Sequence, residues 1–255
     1  MDSRLEAFQK FLDIVDEVRA KCPWDSIQTI GSIRHLTIEE TYELSEAILK
    51  DDLQEVKKEL GDLMLHLVLY SKIADELGAF DIEDVLKAIS EKMIVRHPHI
   101  FGNDKVSDAT EVLQNWEKIK LEKEHNRSVL GGVPASLPAL LRAYRMQQKA
   151  AGIGFEWNNP DDAWEKVQEE KKEFLEAKGP EQAEEEFGDL LFALINYGRM
   201  KGINAEDAMD KANNKFKSRF TYIEQEARKA GQSVQNLSLD EMMNLWNEAK
   251  THENV

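Results

Sequence analysis

The sequence predicts an all-α protein built from tandem duplicated helical-bundle units of four to five helices each. Apolar residues recur at helical spacing along most of the chain, beginning with Leu5, Phe8, Leu12 and Val15. No segment alternates with a period of two for long enough to indicate a sheet. A two-part acidic pattern occurs twice, roughly 130 residues apart, which indicates a duplicated unit.

The first unit is predicted to contain five helices. They are expected at residues 4–20, 30–49, 53–77, from Asp81 to Arg96, and at 108–125. Asp51 or Asp52 is the predicted N-cap of the third helix, and Gly78 its end. The loop Lys21-Cys22-Pro23-Trp24-Asp25 follows the first helix. We interpret its Trp24 as part of the core, with a lid over a ligand as the alternative.

The second unit repeats this order after a Gly/Pro-containing segment. Its helices are expected at 137–150, after Pro160, after Pro180, around 206–219 and around Trp246. Asn159 is the predicted N-cap, with Pro160 in the first turn, and Gly179 breaks the chain before the next helix. We therefore expect an N-terminal unit at 1–126, a linker at 127–137 and a C-terminal unit at 138–255.

The composition restricts the classes of partner. The formal net charge is −16, which argues against nucleic acid polymers and anionic membranes because both require basic surfaces. A small anionic substrate stays possible if metal ions supply positive charge. Cys22 is the one cysteine, so an internal disulfide is excluded. The sequence shows no signal peptide or apolar membrane span, and we expect a cytoplasmic protein.

Paired acids carry the functional signal. Glu39-Glu40-Thr41-Tyr42-Glu43 is followed by Glu59-Leu60-Gly61-Asp62, and Glu169-Glu170-Lys171-Lys172-Glu173 is followed by Glu186-Phe187-Gly188-Asp189. On a helix, acids three or four residues apart share a face, and apolar residues flank these faces. Carboxylates beside a buried seam need a neutralising cation. Oxygen-only ligands favour Mg²⁺, or Mn²⁺, over zinc.

The acidic and histidine-containing motifs also allow other interpretations. One acidic cluster alone is equally well explained as a solvated helix face, but its repetition favours a metal site. Arg96-His97-Pro98-His99 has no further ligands that would support zinc, so a helix cap or a loop beside phosphate is favoured. A di-iron bundle requires Glu-x-x-His on two helices, and only Glu122 with His125 matches. A non-catalytic helical interaction module with acidic metal-binding faces is the alternative function.

Each unit also carries a pair of cations one helix after its acids. Lys92 and Arg96 in the first unit correspond to Lys215 and Arg219 in the second, spaced i, i+4. Acids with bound magnesium, opposed by cations, are the groups needed to bind a polyphosphate. No Gly-x-x-x-x-Gly-Lys-[Ser/Thr] loop occurs, so the chain is not a P-loop enzyme.

These combined motifs resemble the all-α nucleoside triphosphate pyrophosphohydrolases. The Glu-Glu-x-x-Glu and Glu-x-x-Asp stretches, the Cys-Pro-Trp-Asp loop, Arg-His-Pro-His and the duplication are similar to the tandem form of the MazG family. The resemblance covers nearly the whole chain. It implies a homodimer that cleaves NTPs or dNTPs between the α- and β-phosphates, with Mg²⁺, to nucleoside monophosphate and pyrophosphate. A role in nucleotide-pool sanitation or stress regulation is implied as well.

The resemblance also implies roles for individual residues. The metal ligands would be Glu170, Glu173, Glu186 and Asp189 in the second unit, and Glu40, Glu43, Glu59 and Asp62 in the first. The catalytic set would be Glu169, Glu170, Glu173, Glu186 and Asp189, with Glu169 assisting the metal cluster or orienting water. The nucleotide-binding set would be Lys166, Glu169, Glu185, Lys215, Arg219 and Trp246.

The second unit is the predicted active copy. Lys166 precedes its first acids by one turn, and Lys171 and Lys172 lie inside its motif. The first unit has Arg34 and Leu36 upstream of its acids and Thr41-Tyr42 inside its motif. A triphosphate should bind better where more lysines oppose its charge.

Overall fold

The computed structural model describes residues 2–103 and 128–252, together with Lys105, Val106, Asp108, Glu111, Val112, Asn115, Trp116 and Ile119. Within these residues the chain forms helices and turns and no strand, which confirms the all-α prediction. It divides into two compact units, Met1–Lys105 and Val106–Val255. The helix expected at 108–125 lies mostly outside the described residues. The linker at 127–137 and the unit boundaries stay predictions.

The first unit packs four long helices and a short fifth. They are α1 (Ser3–Lys21), α2 (Arg34–Leu49), α3 (Leu53–Glu76), α4 (Ile82–Arg96) and α5 (Pro98–Phe101), with a 3₁₀ turn at Asp25–Ile27. Its core is formed by Val15, Ile33, Val68, Leu69 and Ile73. Apolar side chains from α1 and α3 thus meet the residue before α2, and this packing fixes α2 beside α3.

Local capping explains where these helices begin and end. The Asp52 side chain accepts hydrogen bonds from the backbone N–H groups of Gln54 and Glu55, so Asp52 is the N-cap of α3. Asp81 and Asp84 form a reciprocal capping box at the start of α4. After α3, Gly78 adopts φ +68°, a conformation that glycine tolerates at a helix end. His97 follows α4 as its C-cap residue and precedes Pro98 of α5.

The loop after α1 differs from expectation. Trp24 is 54% exposed, so the interpretation of its ring as part of the core is wrong. The loop is held by Arg19 instead, whose guanidinium donates to the backbone oxygens of Asp25 and Gln28 and also to the Glu76 carboxylate. These polar bonds fix the loop against α3, and the indole is left at the surface.

The second unit is built from five described helices. They are α6 (Ala139–Ala151), α7 (Pro160–Glu176), α8 (Pro180–Met200), α9 (Ala205–Lys229) and α10 (Leu239–His252), with a 3₁₀ turn at Val234–Asn236. Asn159 caps α7 and Pro160 occupies its first turn, as predicted. Gly179, at φ +101°, separates α7 from α8.

Two aromatic pairs pack between α7 and α8. The Phe174 and Phe187 rings lie 5.5 Å apart, and the Trp164 and Tyr197 rings lie 4.8 Å apart. Helix α6 packs against α8, and α9 packs against α10. These contacts stabilise the α7–α8 hairpin along its length and hold the acidic residues of the two helices in register.

Among the described helices, none has the length and apolar character required to cross a membrane.

Candidate metal centre and adjoining cavity

Three acids of the first unit meet between α2 and α3. Helix α2 supplies Glu40 and Glu43, which share a face because they are three residues apart, and α3 supplies Glu59. One carboxylate oxygen from each lies within 4.8 Å of the others. The structure thus brings together three of the four predicted ligands of this unit.

The second unit repeats this arrangement between α7 and α8. Glu170 and Glu173 come from α7, and Glu186 comes from α8. Their oxygens also lie within 4.8 Å of one another. In each cluster one acid is buried, one is half-buried and one is exposed, so each set has a covered side and an open side. Duplication of the sequence therefore gives duplication of the geometry.

The fourth predicted ligand of each unit lies outside the close group of three. Asp62 is half-buried on α3, near enough for its charge to act on Glu40. Asp189 is exposed on α8 and lines a cavity described below. Both aspartates lie one turn beyond the glutamate of their helix and at the edge of the cluster.

The acids influence one another's ionisation. Burial raises the pKa of Glu40, and the charges of Asp62 and Glu43 raise it further. The pKa of Glu173 is raised likewise, first by desolvation and then by the charges of Glu170 and Glu186. Each cluster thus concentrates more negative charge than its surroundings neutralise.

A lysine contacts the buried acid of each cluster. Lys58 Nζ lies 2.9 Å from Oε1 of Glu59, which is 2% exposed. Lys166 Nζ lies 2.7 Å from Oε1 of Glu170, which is 6% exposed, and 2.9 Å from Oε1 of Glu169. Hydrogen bonds to these carboxylates raise the pKa of both lysines. Both ammonium groups therefore remain charged at neutral pH.

The two lysines do not occupy equivalent positions. Lys58 precedes Glu59 on α3, where the second unit has Glu185 before Glu186. Lys166 precedes Glu170 by one turn on α7, where the first unit has Leu36 before Glu40. A cation beside the buried acid is thus present in both units but comes from different helices.

The donor set fits a hard divalent cation. Each cluster offers carboxylate oxygens alone, which suit magnesium or manganese better than zinc. In the first unit, Glu59 Oε2 is buried and has no hydrogen-bond partner among the described residues. A buried carboxylate oxygen without a partner is costly, and a bound cation would satisfy it.

A cavity of about 550 Å³ adjoins the second cluster. Its walls come from α6, from the loop between α6 and α7, and from the facing sides of α7 and α8. Its charged lining residues are Lys166, Glu170, Asp189 and Glu156. Its apolar wall includes Met146, Phe155, Trp157 and Phe192. Charged and apolar side chains therefore line one cavity.

The remaining predicted nucleotide-binding residues do not line this cavity. The Arg219 guanidinium lies over the Trp246 ring, 5.3 Å from its centre, so α9 and α10 bring these two together. Lys215 is exposed on α9, and Glu169 and Glu185 are exposed on α7 and α8. Lys215, Arg219 and Trp246 are not among the residues that line the cavity.

Sequence reasoning missed several residues near the acids. It assigned no role to Lys58, to Gln147 of α6 or to Asn196 of α8, and the last two line the cavity. A signal for Gln147 was present, because a glutamine at a buried position of an otherwise amphipathic helix requires a polar partner.

Comparison with known proteins gives consistent matches. The model of the MazG nucleotide pyrophosphohydrolase domain matches residues 28–101 and again 160–223. The chain is 39% identical over 247 residues to the nucleoside triphosphate pyrophosphohydrolase/pyrophosphatase MazG of Thermotoga maritima, covering 95% of each chain. It is 41% identical over 240 residues to the nucleoside triphosphate pyrophosphohydrolase of Escherichia coli K12, covering 91% of each.

Two further matches are partial. The uncharacterized protein YabN of Bacillus subtilis is 46% identical over 254 residues, which is 96% of this chain and 52% of YabN. The crystal structure of a MazG-related protein from Thermotoga maritima gives a TM-score of 0.40 at 28% identity. It covers 45% of this chain and 99% of that one.

Proposed function

The chain belongs to the MazG family of nucleotide pyrophosphohydrolases, and from this premise we propose that its second unit hydrolyses nucleoside triphosphates between the α- and β-phosphates. The water oxygen forms a new bond to the α-phosphorus, a proton of that water passes to solvent, and the bond from the α-phosphorus to the oxygen that bridges to the β-phosphate breaks. Pyrophosphate leaves with the bonding electron pair, and the nucleoside monophosphate is the other product. The proposed substrates are NTPs and dNTPs.

One observation carries this proposal. Three carboxylates, an ammonium group and an apolar cavity meet at one place in the second unit. A nucleotide has matching parts. Its polyphosphate is anionic and suits the charged groups, and its base is flat and largely apolar and suits the cavity. Carboxylates alone would repel the phosphates, so binding would require a divalent cation held by these carboxylates.

We propose that Glu170, Glu173, Glu186 and Asp189 hold Mg²⁺, with Mn²⁺ as a substitute. When bound, such an ion neutralises phosphate charge and lowers the pKa of water. Lys166 contacts Glu170 and lines the cavity, and it is proposed to bind a phosphate oxygen. Glu169, exposed beside Lys166, is proposed to orient water or assist the cluster. Lys215, Arg219, Trp246 and Glu185 are proposed to contact other parts of the nucleotide.

Differences between the two α-hairpins favour the second unit as the active one. Ala193 and Asn196 line the cavity on α8, and the same positions on α3 are His66 and Leu69. His66 is 8% exposed and Leu69 4%, so larger side chains are packed into the first unit at these places. The first cluster is proposed to bind the cation without turning over a nucleotide.

The test is a matched pair of variants, Glu173→Gln and Glu43→Gln, assayed for pyrophosphate and NMP release with Mg²⁺. Each replaces one carboxylate of one cluster by a neutral amide of the same shape. Glu173→Gln should lower the rate at least about tenfold, or roughly 1.4 kcal/mol of barrier. Glu43→Gln should leave the rate within about twofold, and circular dichroism checks both folds.

Two outcomes would contradict the proposal. Loss of activity in Glu43→Gln with full activity in Glu173→Gln would move the active site to the first unit. Absence of pyrophosphate release from every NTP by the unaltered protein would favour the non-catalytic interaction module.

We further propose that the protein is a homodimer. The support is a set of exposed apolar side chains on α3 and α8, namely Leu60, Leu67, Leu191 and Leu194. Burial of such faces between helical units is a common basis of association. Light scattering at micromolar concentration should give twice the mass of 29.3 kDa, and a monomeric mass would refute the dimer. The cytoplasmic location and the role in nucleotide pools stay predictions.

A further inference from the structure

The loop between α6 and α7 forms one wall of the cavity. Phe155, Glu156 and Trp157 follow one another in this loop, and all three line the cavity. Phe155 is 82% exposed and Trp157 46%, so burial in the core does not hold either ring in place. The position of this wall therefore depends on how the loop is attached to the helices around it.

Helix caps fix the two ends of the loop. At the end of α6, the N–H of Phe155 donates to the backbone oxygen of Ala150, and Gly154 adopts φ +89°. This is a Schellman-type helix end, which sets the direction in which the chain leaves the helix. At the start of α7, the Asn159 side chain accepts hydrogen bonds from backbone N–H groups of the first turn. Residues 156–158 lie between these two caps.

Arg199 of α8 anchors the loop between its caps. Its guanidinium donates to Oε1 of Glu156, and among the described residues no other hydrogen bond reaches 156–158. The guanidinium also donates to Oδ1 of Asn196 at 2.9 Å, and the Arg199 side chain is 11% exposed. Two acceptors and close packing fix the guanidinium, so a charge-assisted hydrogen bond to it fixes Glu156. The loop is thereby attached to α8 at one point.

The first unit attaches the loop after its own first helix in another way. Arg19 of α1 donates there to two backbone oxygens of the loop. Lys72 and Arg199 each lie ten residues after the aspartate of their acidic motif, but Lys72 pairs with Asp16 of α1, at 2.9 Å. Attachment through a side chain that also lines the cavity, Glu156, is therefore a feature of the second unit.

We propose that Arg199 is a positioning residue of the nucleotide site, acting through Glu156 to hold the α6–α7 loop as a preformed wall for the nucleoside. This inference rests on the proposed function. A wall that is fixed before binding need not be ordered when the nucleotide arrives, so part of the cost of binding is avoided. Such a wall touches the nucleoside in the substrate and in the transition state alike. Its loss should therefore raise KM and leave kcat nearly unchanged.

Arg199→Met tests the anchor, because it removes the guanidinium without changing a residue that lines the cavity. In a variant whose thermal unfolding stays cooperative, KM for NTPs should rise at least about fivefold, with kcat within about twofold. Inorganic tripolyphosphate has no nucleoside, so its inhibition constant should stay within about twofold. An unchanged KM, or an equal loss of affinity for tripolyphosphate, would overturn the proposal.

The matched control is Lys229→Met, which breaks another ion pair of the second unit. Its partner Glu226 has a side chain 28% exposed, close to the 33% of Glu156, and neither Lys229 nor Glu226 lines the cavity. Lys229→Met should keep the KM of the unaltered protein. Arg199→Lys retains a cation at the anchor and should recover part of the affinity that Arg199→Met loses.

A double-mutant cycle tests whether Arg199 acts through Glu156. Glu156→Gln weakens the same pair from the exposed side and should also raise KM. Since the two residues act as one unit, KM of the double variant Arg199→Met/Glu156→Gln should lie within about twofold of that of Arg199→Met. Effects that multiply in the double variant would overturn the role of Glu156.

Fluorescence tests the loop without nucleotide or turnover. Arg199→Met should make Trp157 more accessible to acrylamide and so raise the quenching constant. In a Trp157→Phe background the same substitution should leave quenching unchanged, because the other tryptophans lie outside the loop. A quenching constant that stays the same in the presence of Trp157, or that rises equally in both backgrounds, would overturn the fixed loop.

Calorimetric binding of a non-hydrolysable triphosphate with Mg²⁺ separates this inference from the proposed function. Weaker binding to Arg199→Met than to the unaltered protein supports the positioning role even if no pyrophosphate is released. Equal binding to the two proteins would overturn it even if the unaltered protein hydrolyses every NTP.

Discussion

Lys166 Nζ lies 2.7 Å from Oε1 of Glu170, so the buried carboxylate of the second cluster is paired with an ammonium group from its own helix. The lysine is one turn before the acid on α7, and it also contacts Glu169. A cation held by the proposed ligand Glu170 would share that carboxylate with the Lys166 ammonium. The same lysine lines the cavity, where a phosphate would need it.

Lys166→Met should therefore change metal and nucleotide affinity in opposite directions. Without the ammonium, no second cation competes for Glu170. The affinity for Mn²⁺ in the absence of nucleotide should therefore rise at least about threefold. The triphosphate loses a charge-assisted hydrogen bond, so its affinity should fall about tenfold. Titration of Mn²⁺ by electron paramagnetic resonance and calorimetric titration of a non-hydrolysable triphosphate measure the two effects.

Lys229→Met is the control, because Lys229 is an exposed lysine at the end of α9 that lies 2.6 Å from Glu226 and outside the cluster. Weaker Mn²⁺ binding in Lys166→Met would show that the ammonium is not a competitor of the metal.

Millimolar Mg²⁺ should raise the melting temperature of EDTA-treated protein by a few degrees. Any ligand that binds the native state alone stabilises it, and about 1 kcal/mol corresponds to roughly 2–4 °C for a chain of this size. Glu173→Gln should reduce the shift, whereas Glu176→Gln, on an exposed part of the same helix, should keep it. Identical melting of the unaltered protein with and without Mg²⁺ would contradict a preformed site.

The metal-free protein should lose stability as the pH rises from about 4.5. The pKa values of Glu40 and Glu173 are raised above their ordinary 4.5 in the folded state. Between the two values the folded state holds more protons than the unfolded chain, so the free energy of unfolding falls with rising pH. Urea denaturation without metal measures the slope, and the double variant Glu40→Gln/Glu173→Gln should flatten it. An unchanged slope in that variant would assign the effect to other groups.

The ion pair between Arg19 and Glu76 should contribute stability of the opposite pH dependence. Arg19 donates to Glu76 and holds the pKa of its carboxyl below 4.5. This contribution is present above the unfolded pKa and is lost as the pH falls through the folded one. Glu76→Gln should cost about 1 kcal/mol at pH 7, since one partner is nearly buried and the other 40% exposed.

The decrease in the free energy of unfolding that Glu76→Gln causes should be smaller at pH 3 than at pH 7, as measured by urea denaturation. Glu17→Gln, which removes an exposed pair with Lys21, should cost less at pH 7. Equal costs for the two variants would mean that the Arg19 contacts do not hold the loop.

Much of the fold follows from short-range sequence features. The N-caps Asp52, Asp81 and Asn159 bond to backbone groups two or three residues away, so their effect can be predicted from the sequence. The pairing of Glu40 with Glu43, and of Glu170 with Glu173, follows from the helical period alone. A short break between consecutive helices then brings the third acid of each cluster beside the first two.

Contacts between distant segments were decided only by the tertiary structure. The exposure of Trp24 follows from the bond between Arg19 and Glu76, which are 57 residues apart. The side-chain amide of Gln147 donates to the backbone oxygen of Phe192, which is 45 residues away. The sequence by itself determined the helices, the duplication and the acids, because these depend on neighbours along the chain. Which acid of each cluster is buried, and where a cavity opens beside it, depends on how helices pack.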